Sequence, residues 1–248
     1  MDKGLYIAMS GAKQNMLAQA ARANNLANVN TTGFKADYEQ ARAQPVFGEH
    51  FPTRAYAQTE RPATDLRSGT LIETGRALDL AIKEQGWLAV EDNNGEEAYT
   101  RLGELAIDAE GILRTSTGRP VLGEGGPITV PPAEQLTIGM DGTISIRPLG
   151  AVGAELAVID RIKLVNPEAE GQALDKGLDG LFRLRDGGQA ALDPNVQVVS
   201  GFVEASNVSA ADELINILSL QRQYEMQTKM MKTFEENAGA SATIMRMG

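Results

Sequence analysis

The chain contains no cysteine and a single histidine, His50. Without cysteine it cannot form disulfides, cysteine-ligated zinc sites, iron–sulfur clusters or thiol nucleophiles. A lone histidine cannot supply a site that needs several imidazole ligands, and we interpret His50, which lies close to Pro52, as a loop residue. These absences remove most metal and cofactor chemistry, so we expect no cofactor and no metal site.

Positive charge and long apolar runs are also scarce. The 33 acidic residues outnumber the 23 basic ones, which gives a formal net charge of -10. This balance argues against nucleic acid or an anionic membrane surface as a partner, because both are bound through basic patches. No apolar run approaches the roughly 18 residues of a membrane span, and the first residues lack the apolar core of a secretory signal. We expect no membrane insertion, and any export without a cleaved signal.

Proline and glycine are confined largely to the middle of the chain. All ten prolines lie between Pro45 and Pro194, and 19 of the 26 glycines lie between Gly69 and Gly188. Because proline stops helices and glycine weakens them, this distribution predicts helical ends around a β-rich centre. The predicted fold class is α+β, with a helical domain of residues 1–35 plus 208–248, an extended connector at 36–68 and a β-rich domain at 69–207.

Both ends carry a stripe at heptad spacing. The N-terminal stripe consists of Leu5, Met9, Ala12, Met16, Gln19, Ala23 and Leu26. The C-terminal stripe consists of Ile217, Leu220, Tyr224, Gln227, Met231, Phe234 and Ala238. This spacing predicts two discontinuous helices that pair as a coiled-coil-like domain. Alanine buries little apolar area, so we expect the N-terminal helix to need more than one neighbour.

The centre alternates short apolar runs with turn signals. Runs such as 77–82, 87–90 and 99–107 are separated by Gly- and Asp-rich turns such as 92–95 and 108–111. Strands every eight to twelve residues, without helical periodicity between them, predict an all-β sandwich or irregular barrel. We interpret the 92–95 segment as a hairpin tip, although its composition resembles that of a calcium loop.

Catalytic motifs are weak. Ser10 and Lys13 match the Ser-x-x-Lys pattern of acyltransferases, but the companion Ser-Asp-Asn and Lys-Thr-Gly motifs are missing, and Ser10 lies inside the predicted helix. No glycine-rich phosphate-binding motif bridges a strand and a helix. We therefore expect no enzymatic activity. The alternative is an acyltransferase that uses Ser10 and Lys13.

The segment NNLANVNTTGFK, residues 24–35, ends the first predicted helix with four asparagines. Asn24 and Asn28 are one helical turn apart and share a face. Two interpretations stay open: the amides cap the helix end locally, or they hydrogen-bond to adjacent subunits of an assembly.

Three blocks of the sequence together resemble the bacterial flagellar basal-body rod proteins. They are residues 5–35, 78–123 and 203–236, and they follow the order found in that family. In the first block the positions that fit the family pattern are Asn24, Asn25, Leu26, Ala27, Asn28, Thr31, Gly33, Phe34 and Lys35. The opening residues, the length and the GEGGPITVP segment at 123–131 are most similar to the proximal-rod branch.

The resemblance implies an axial structural subunit that the flagellar type III apparatus exports unfolded. Such a subunit assembles in the periplasm with other rod subunits into the rod that carries motor torque to the hook. The residues that we expect at the assembly interface are Leu5, Met9, Ala12, Met16, Ala23, Asn24, Asn25, Leu26, Asn28, Ile217, Leu220, Tyr224, Met231 and Phe234. The alternatives are a distal-rod subunit, or a β-domain binding module with a coiled-coil oligomerisation stalk.

The alanine-rich stripe predicts that the ends of the isolated monomer are loosely ordered, because they gain most of their burial from neighbouring chains. Limited proteolysis should cut both ends first and leave the β-rich centre intact, and circular dichroism should show less helix than the assembled form. Fully helical, protease-resistant ends in the monomer would contradict this prediction.

Overall fold

The computed structural model describes residues 4–38, 41–47, 55–59, 63–148 and 156–246. The described chain has a helix at each end and a large β-rich part between them, so the predicted α+β class is confirmed. His50 lies outside the described residues. The chain forms two compact units, which we name the helical unit (1–29, 36–65 and 208–248) and the β unit (30–35 and 66–207).

The described residues of the helical unit form two helices and two short antiparallel strand pairs. Its elements are α1 (Gly4–Ala27), β1 (Asp37–Tyr38), β2 (Ala41–Pro45), β3 (Ala55–Thr59), β4 (Ala63–Thr64) and α2 (Ala210–Arg246). Strand β1 pairs with β4 and β2 pairs with β3, while α1 contacts α2, β3 and β1. The segment predicted as a connector, 36–68, therefore contributes its residues up to Asp65 to this unit.

The β unit contains fourteen described strands, and every pairing among them is antiparallel. They are β5 (Leu71–Glu73), β6 (Leu80–Ile82), β7 (Trp87–Glu91), β8 (Glu97–Thr100), β9 (Leu105–Ile107), β10 (Leu113–Thr115), β11 (Ala133–Ile138), β12 (Thr143–Pro148), β13 (Ala157–Arg161), β14 (Leu164–Val165), β15 (Leu174–Lys176), β16 (Phe182–Leu184), β17 (Val198–Ser200) and β18 (Phe202–Glu204). The largest sheet has the order β14-β7-β8-β16-β15, and β11-β12-β13 form a second.

Two strand pairs close the β unit by joining early and late parts of the chain. Strand β5 pairs with β18 and β6 pairs with β17, which brings residues near 72 and 81 beside residues near 203 and 199. The core between the sheets is aliphatic, and Val90, Leu113 and Ile144 are fully buried in it. Trp87 fills a smaller cluster against Phe182, with ring centroids 4.4 Å apart.

The 92–95 segment is a hairpin tip between β7 and β8, as the sequence predicts. The buried Asp92 carboxylate accepts the N–H groups of Asn94 and Glu96 at 2.7 and 3.0 Å. Its second oxygen accepts a hydrogen bond from Arg183 Nη2 at 2.7 Å. The Arg183 guanidinium and these backbone donors lower the pKa of Asp92 from 3.8 to about 2.

Because its pKa is lower in the folded state, ionised Asp92 stabilises the β unit above about pH 4, and this contribution disappears as the pH falls toward about 2. In Asp92→Asn the amide NH₂ faces the Arg183 donors, so we expect a lower melting temperature at neutral pH and a shallower loss of stability on acidification. Thermal melts followed by fluorescence of Trp87, the single tryptophan, would measure both. The exposed Glu124→Gln should behave as wild type, and parallel pH profiles for all three proteins would refute the role of Asp92.

Candidate assembly surface

The predicted stripe on α2 is the half-buried face of that helix. Among the 37 residues of α2 only Glu213 is buried. The stripe positions Ile217, Leu220, Tyr224, Gln227, Met231 and Phe234 are half-buried, whereas Ala238 is exposed. Heptad spacing in the sequence thus identifies the side of α2 that is covered within the chain.

The face of α1 that meets α2 begins one residue before the predicted stripe. A Cβ atom on Gly4 would lie 2.7 Å from the Phe234 ring, and one on Gly11 would lie 2.7 Å from the Gln227 amide nitrogen. Asn15 Nδ2 donates a hydrogen bond to Gln227 Oε1 at 3.2 Å. Small and polar residues of α1 therefore let the long side chains of α2 approach closely. The close neighbour of Gly11 is therefore a side chain of α2 in the same molecule.

The predicted N-terminal stripe is consequently divided between the inside and the outside of the helical unit. Ala12 is buried and Leu26 is half-buried, while Ala23 is exposed. The larger side chains point outward, with Leu5 39%, Met9 54% and Met16 58% exposed. Their place at an assembly interface stays a prediction, but inside one chain they do not form the face that contacts α2.

Asn25 is fully buried where α1 ends, and its amide serves three partners. Its Nδ2 donates to the carbonyl of Asp37 at 2.9 Å, and its Oδ1 accepts the Asp37 N–H at 2.9 Å. The same Nδ2 lies 3.1 Å from Glu213 Oε1, which Arg22 also contacts at 3.1 Å. The Arg22 guanidinium lies 4.9 Å from the Tyr38 ring centroid. One amide thus connects α1, β1 and the first turn of α2.

Asn24 and Asn28 hydrogen-bond to each other at the end of α1, whereas Asn25 bonds to β1 and α2. Asn28 Nδ2 donates to the carbonyl of Asn24 at 2.9 Å, and the same carbonyl accepts the Asn28 N–H at 3.2 Å, so one residue closes this helix end with both its side chain and its backbone. Asn24 itself is exposed. Local capping is therefore present for Asn28, and contacts of Asn24 and Asn28 with another subunit stay a prediction.

Many large apolar side chains of the two helices are open to solvent. On α1 they are Leu5, Tyr6, Met9, Met16 and Leu17, and on α2 they are Leu214, Ile215, Leu218, Met226, Met230, Ile244 and Met245. A mostly apolar cleft of about 420 Å³ is lined by residues of α1, α2 and the β2–β3 hairpin, among them Ile7, Tyr56 and Phe234. Exposed apolar side chains in such number are typical of a helix pair that another protein covers.

Other candidate chemistry from the sequence is not assembled. Ser10 Oγ donates to the carbonyl of Ile7 at 2.8 Å, one turn earlier in α1. Within the part of the chain that the structure describes, no helix is long and apolar enough to cross a membrane. The same described residues contain no group of three or more histidine or acidic side chains that could hold a metal ion.

Comparison with known proteins identifies the family. The model described as "Flagella basal body rod protein" matches residues 5–35, "Flagellar hook protein FlgE/F/G D1 domain" matches 81–146, and "Flagellar basal body rod FlgEFG protein C-terminal" matches 199–244. The flagellar basal-body rod protein FlgF of Escherichia coli K12 is 40% identical over 253 residues, with all of both chains covered, and FlgF of Salmonella typhimurium LT2 is equally similar. The chain belongs to the flagellar basal-body rod proteins.

The comparisons also favour one branch of this family. FlgG of Bacillus subtilis 168 is 31% identical over 261 residues, covering 95% of this chain and 96% of its own, against 40% for the two FlgF relatives above. The relatives are structural proteins, and this rod protein is a structural component of the flagellar basal body rather than an enzyme.

The three matched regions of this rod protein meet at one buried ion cluster in the β unit. Lys35 comes from the first region, Arg101 from the second and Glu204 from the third. Lys35 Nζ lies 2.6 Å from Glu204 Oε1, and Arg101 Nη1 lies 2.9 Å from Glu204 Oε2. The three side chains are 0%, 2% and 1% exposed. The sequence by itself predicted no role for these three charged residues. The one local sign of their burial is that each stands next to an apolar residue in the chain.

Gly33 is part of the same arrangement. Its φ of +67° is a left-handed conformation, and a Cβ atom there would lie 2.4 Å from the backbone carbon of Arg101. Its N–H donates to the carbonyl of Glu204 at 2.8 Å. Only glycine fits at this position, which explains why the TTGFK segment turns where it does.

Asn25→Ala leaves the buried Glu213 carboxylate without one donor and removes both hydrogen bonds between the Asn25 amide and the Asp37 backbone. We expect the helical unit to lose about 1–3 kcal/mol of stability, measured as a lower midpoint of urea unfolding by circular dichroism at 222 nm. The exposed Asn24→Ala is the matched control and should unfold as wild type does. Equal midpoints for the two variants would show that the buried amide contributes no more than the exposed one.

Proposed function

We propose that the chain is an axial subunit of the proximal rod, which polymerises helically with other rod subunits and carries motor torque toward the hook. The observation that carries this proposal is the outward face of α1. Leu5, Met9 and Met16 remain exposed because Gly4, Gly11 and Asn15 occupy the face toward α2. A monomer that leaves its larger apolar side chains in water gains stability when another chain covers them.

The C-terminal part of α2 supports the same conclusion. Gly4 at the start of α1 lies against Phe234, and α2 continues through residues 235–246, about 18 Å of helix at 1.5 Å per residue. Every residue of this extension is exposed, including Ile244 and Met245. A helical segment of this length is marginal in water on its own. We infer that a neighbouring subunit covers it.

We propose that the outward face of α1 in one subunit contacts the α2 extension of the next subunit along the rod. This head-to-tail contact is heterologous. Heterologous contacts that do not close into a ring build open helical polymers. We propose that the pairing of α1 with α2 is coiled-coil-like, and that all fourteen interface residues named from the sequence contribute to contacts within or between subunits.

Delivery to the assembly site is the remaining part of the proposal. We infer that the flagellar type III apparatus exports the chain without signal cleavage and that the rod forms in the periplasm. The family membership and the partly covered helices support this, because a chain whose ends gain burial from neighbours is only weakly ordered before assembly.

Met16→Glu tests the proposed surface. It places a charge on the outward face of α1 but retains a good helix former, so we expect a normal melting temperature and a loss of rod assembly. Motility of cells that lack their own FlgF and produce the variant, together with electron microscopy of isolated basal bodies, measures the effect. Mixtures of purified chains with other rod subunits can be examined for filaments by negative staining.

Met140→Glu is the matched control, since Met140 is 70% exposed but lies in a turn of the β unit. It should support motility as wild type does. Normal motility with Met16→Glu would contradict the proposed surface, and a closed small oligomer in sedimentation experiments would favour the binding-module alternative.

A further inference from the structure

The chain passes between the helical unit and the β unit four times, after Val29, Lys35, Asp65 and Asn207. On the side of the β unit, three short segments carry all four passages: 30–35, 66–69 and 204–207. Every covalent path between the two units therefore runs through these three segments. Their attachment to one another within the β unit decides whether a force on one passage reaches the others.

Glu204 connects the three segments directly. Its Oε1 accepts hydrogen bonds from Lys35 Nζ at 2.6 Å and from the Gly69 N–H at 2.8 Å. Its main-chain carbonyl accepts the Gly33 N–H at 2.8 Å. The carboxylate and carbonyl of one residue in the last segment thus hold both of the other segments.

Two further groups repeat the same connections. Lys35 Nζ donates to the carbonyl of Arg67 at 2.8 Å, and Asn207 Nδ2 donates to that carbonyl at 3.1 Å. Arg101, which follows β8 directly, links the cluster to the bend between β6 and β7, because its Nη1 binds Glu204 Oε2 and its Nη2 donates to the carbonyl of Glu84 at 2.7 Å. The Arg101 guanidinium also lies 5.3 Å from the centroid of the Trp87 ring, inside the smaller core cluster.

The chemistry of the cluster indicates that it mainly fixes the positions of the three segments and adds little to the free energy of unfolding. Buried ion clusters lose much of their Coulomb energy to desolvation, and apolar residues of similar volume often stabilise a core as well or better. Charge-assisted hydrogen bonds, in contrast, fix the distance and direction between their partners. Three charges that are almost fully buried at the passages therefore hold these segments in one defined arrangement.

We propose that Lys35, Arg101 and Glu204 are positioning residues that tie the four chain passages together, so that the rod subunit distributes torsional load over all of them. The inference rests on the proposed rod function and names the residues through which this subunit carries load into its β unit.

Glu204→Gln tests the proposal. The Gln amide keeps one acceptor, but its NH₂ must face either Lys35 or Arg101, and both are donors only. We expect the Gly33 and Gly69 amides of the full-length protein to exchange about tenfold faster or more. Cells that depend on this variant should swim normally in dilute medium and lose speed progressively as added polymer raises the viscosity.

A matched variant separates positioning from simple destabilisation. Val121 is fully buried in the aliphatic core of the β unit, and Val121→Ala removes core contacts without touching the passages. At a growth temperature where both variants retain equal folded fractions, Val121→Ala should keep its speed in viscous medium. Equal speed losses for both variants would overturn the positioning role.

A triple variant, Lys35→Met with Arg101→Met and Glu204→Leu, tests whether the ionic chemistry itself is needed. We expect a folded β unit with normal Trp87 fluorescence, faster exchange at Gly69 and the same loss of speed under load. Wild-type speed for this variant would overturn the proposal. If the wild-type chain itself fails to restore motility to cells without FlgF, the proposed rod function is contradicted instead. The exchange experiment still shows whether the Lys35, Arg101 and Glu204 cluster holds the three segments together.

Discussion

One buried carboxylate constrains how distant parts of the chain meet in the β unit. Glu204 is 1% exposed, and a carboxylate at that depth is tolerated only when cations and N–H donors surround it. Lys35 comes from a point 169 residues earlier and Arg101 from a point 103 residues earlier. Both cations must reach Glu204, so the segment after α1, the end of β8 and the last strand before α2 have to meet. The pairing of β5 with β18 and of β6 with β17 satisfies the same requirement with main-chain hydrogen bonds.

The helical unit follows the opposite principle, because its burial is incomplete. Only Ala8, Ala12, Gln14 and Asn25 are buried in α1, and only Glu213 is buried in α2. Glycine and asparagine on the inner face of α1 bring the helices close, but they contribute little apolar area. The larger apolar side chains of α1 stay outside. Such a unit is well suited to a subunit that completes its core with neighbouring chains, whereas the β unit completes its core alone.

The asparagine-rich end of α1 and the TTGFK segment that follows it belong to different units and serve different purposes. Asn25 pairs with the Asp37 backbone much as a strand would, and it shares Glu213 with Arg22. Gly33 and Lys35 both contact Glu204 in the β unit. Twelve residues of sequence, 24–35, therefore supply a buried polar contact on each side of a chain passage. These two buried contacts explain why the segment carries the Asn25 amide and the Lys35 ammonium in addition to a local helix cap.

Sequence alone determined the class of the fold, the two terminal helices, the β-rich centre, the hairpin at 92–95 and the family resemblance, because periodicity, proline placement and turn residues are local signals. It also placed the half-buried face of α2. The N-terminal stripe that it named is only partly covered inside the chain, with Ala12 buried and Met9 and Met16 exposed. Stripes beginning at Leu5 and at Gly4 share the same spacing, and hydrophobicity favours the first. Only the tertiary structure showed that the small residues of the stripe beginning at Gly4 face α2, because they let its long side chains approach α1 closely. Only the tertiary structure, too, revealed the buried charges of Lys35, Arg101 and Glu204, because the burial of a charge depends on partners that lie far away in the chain.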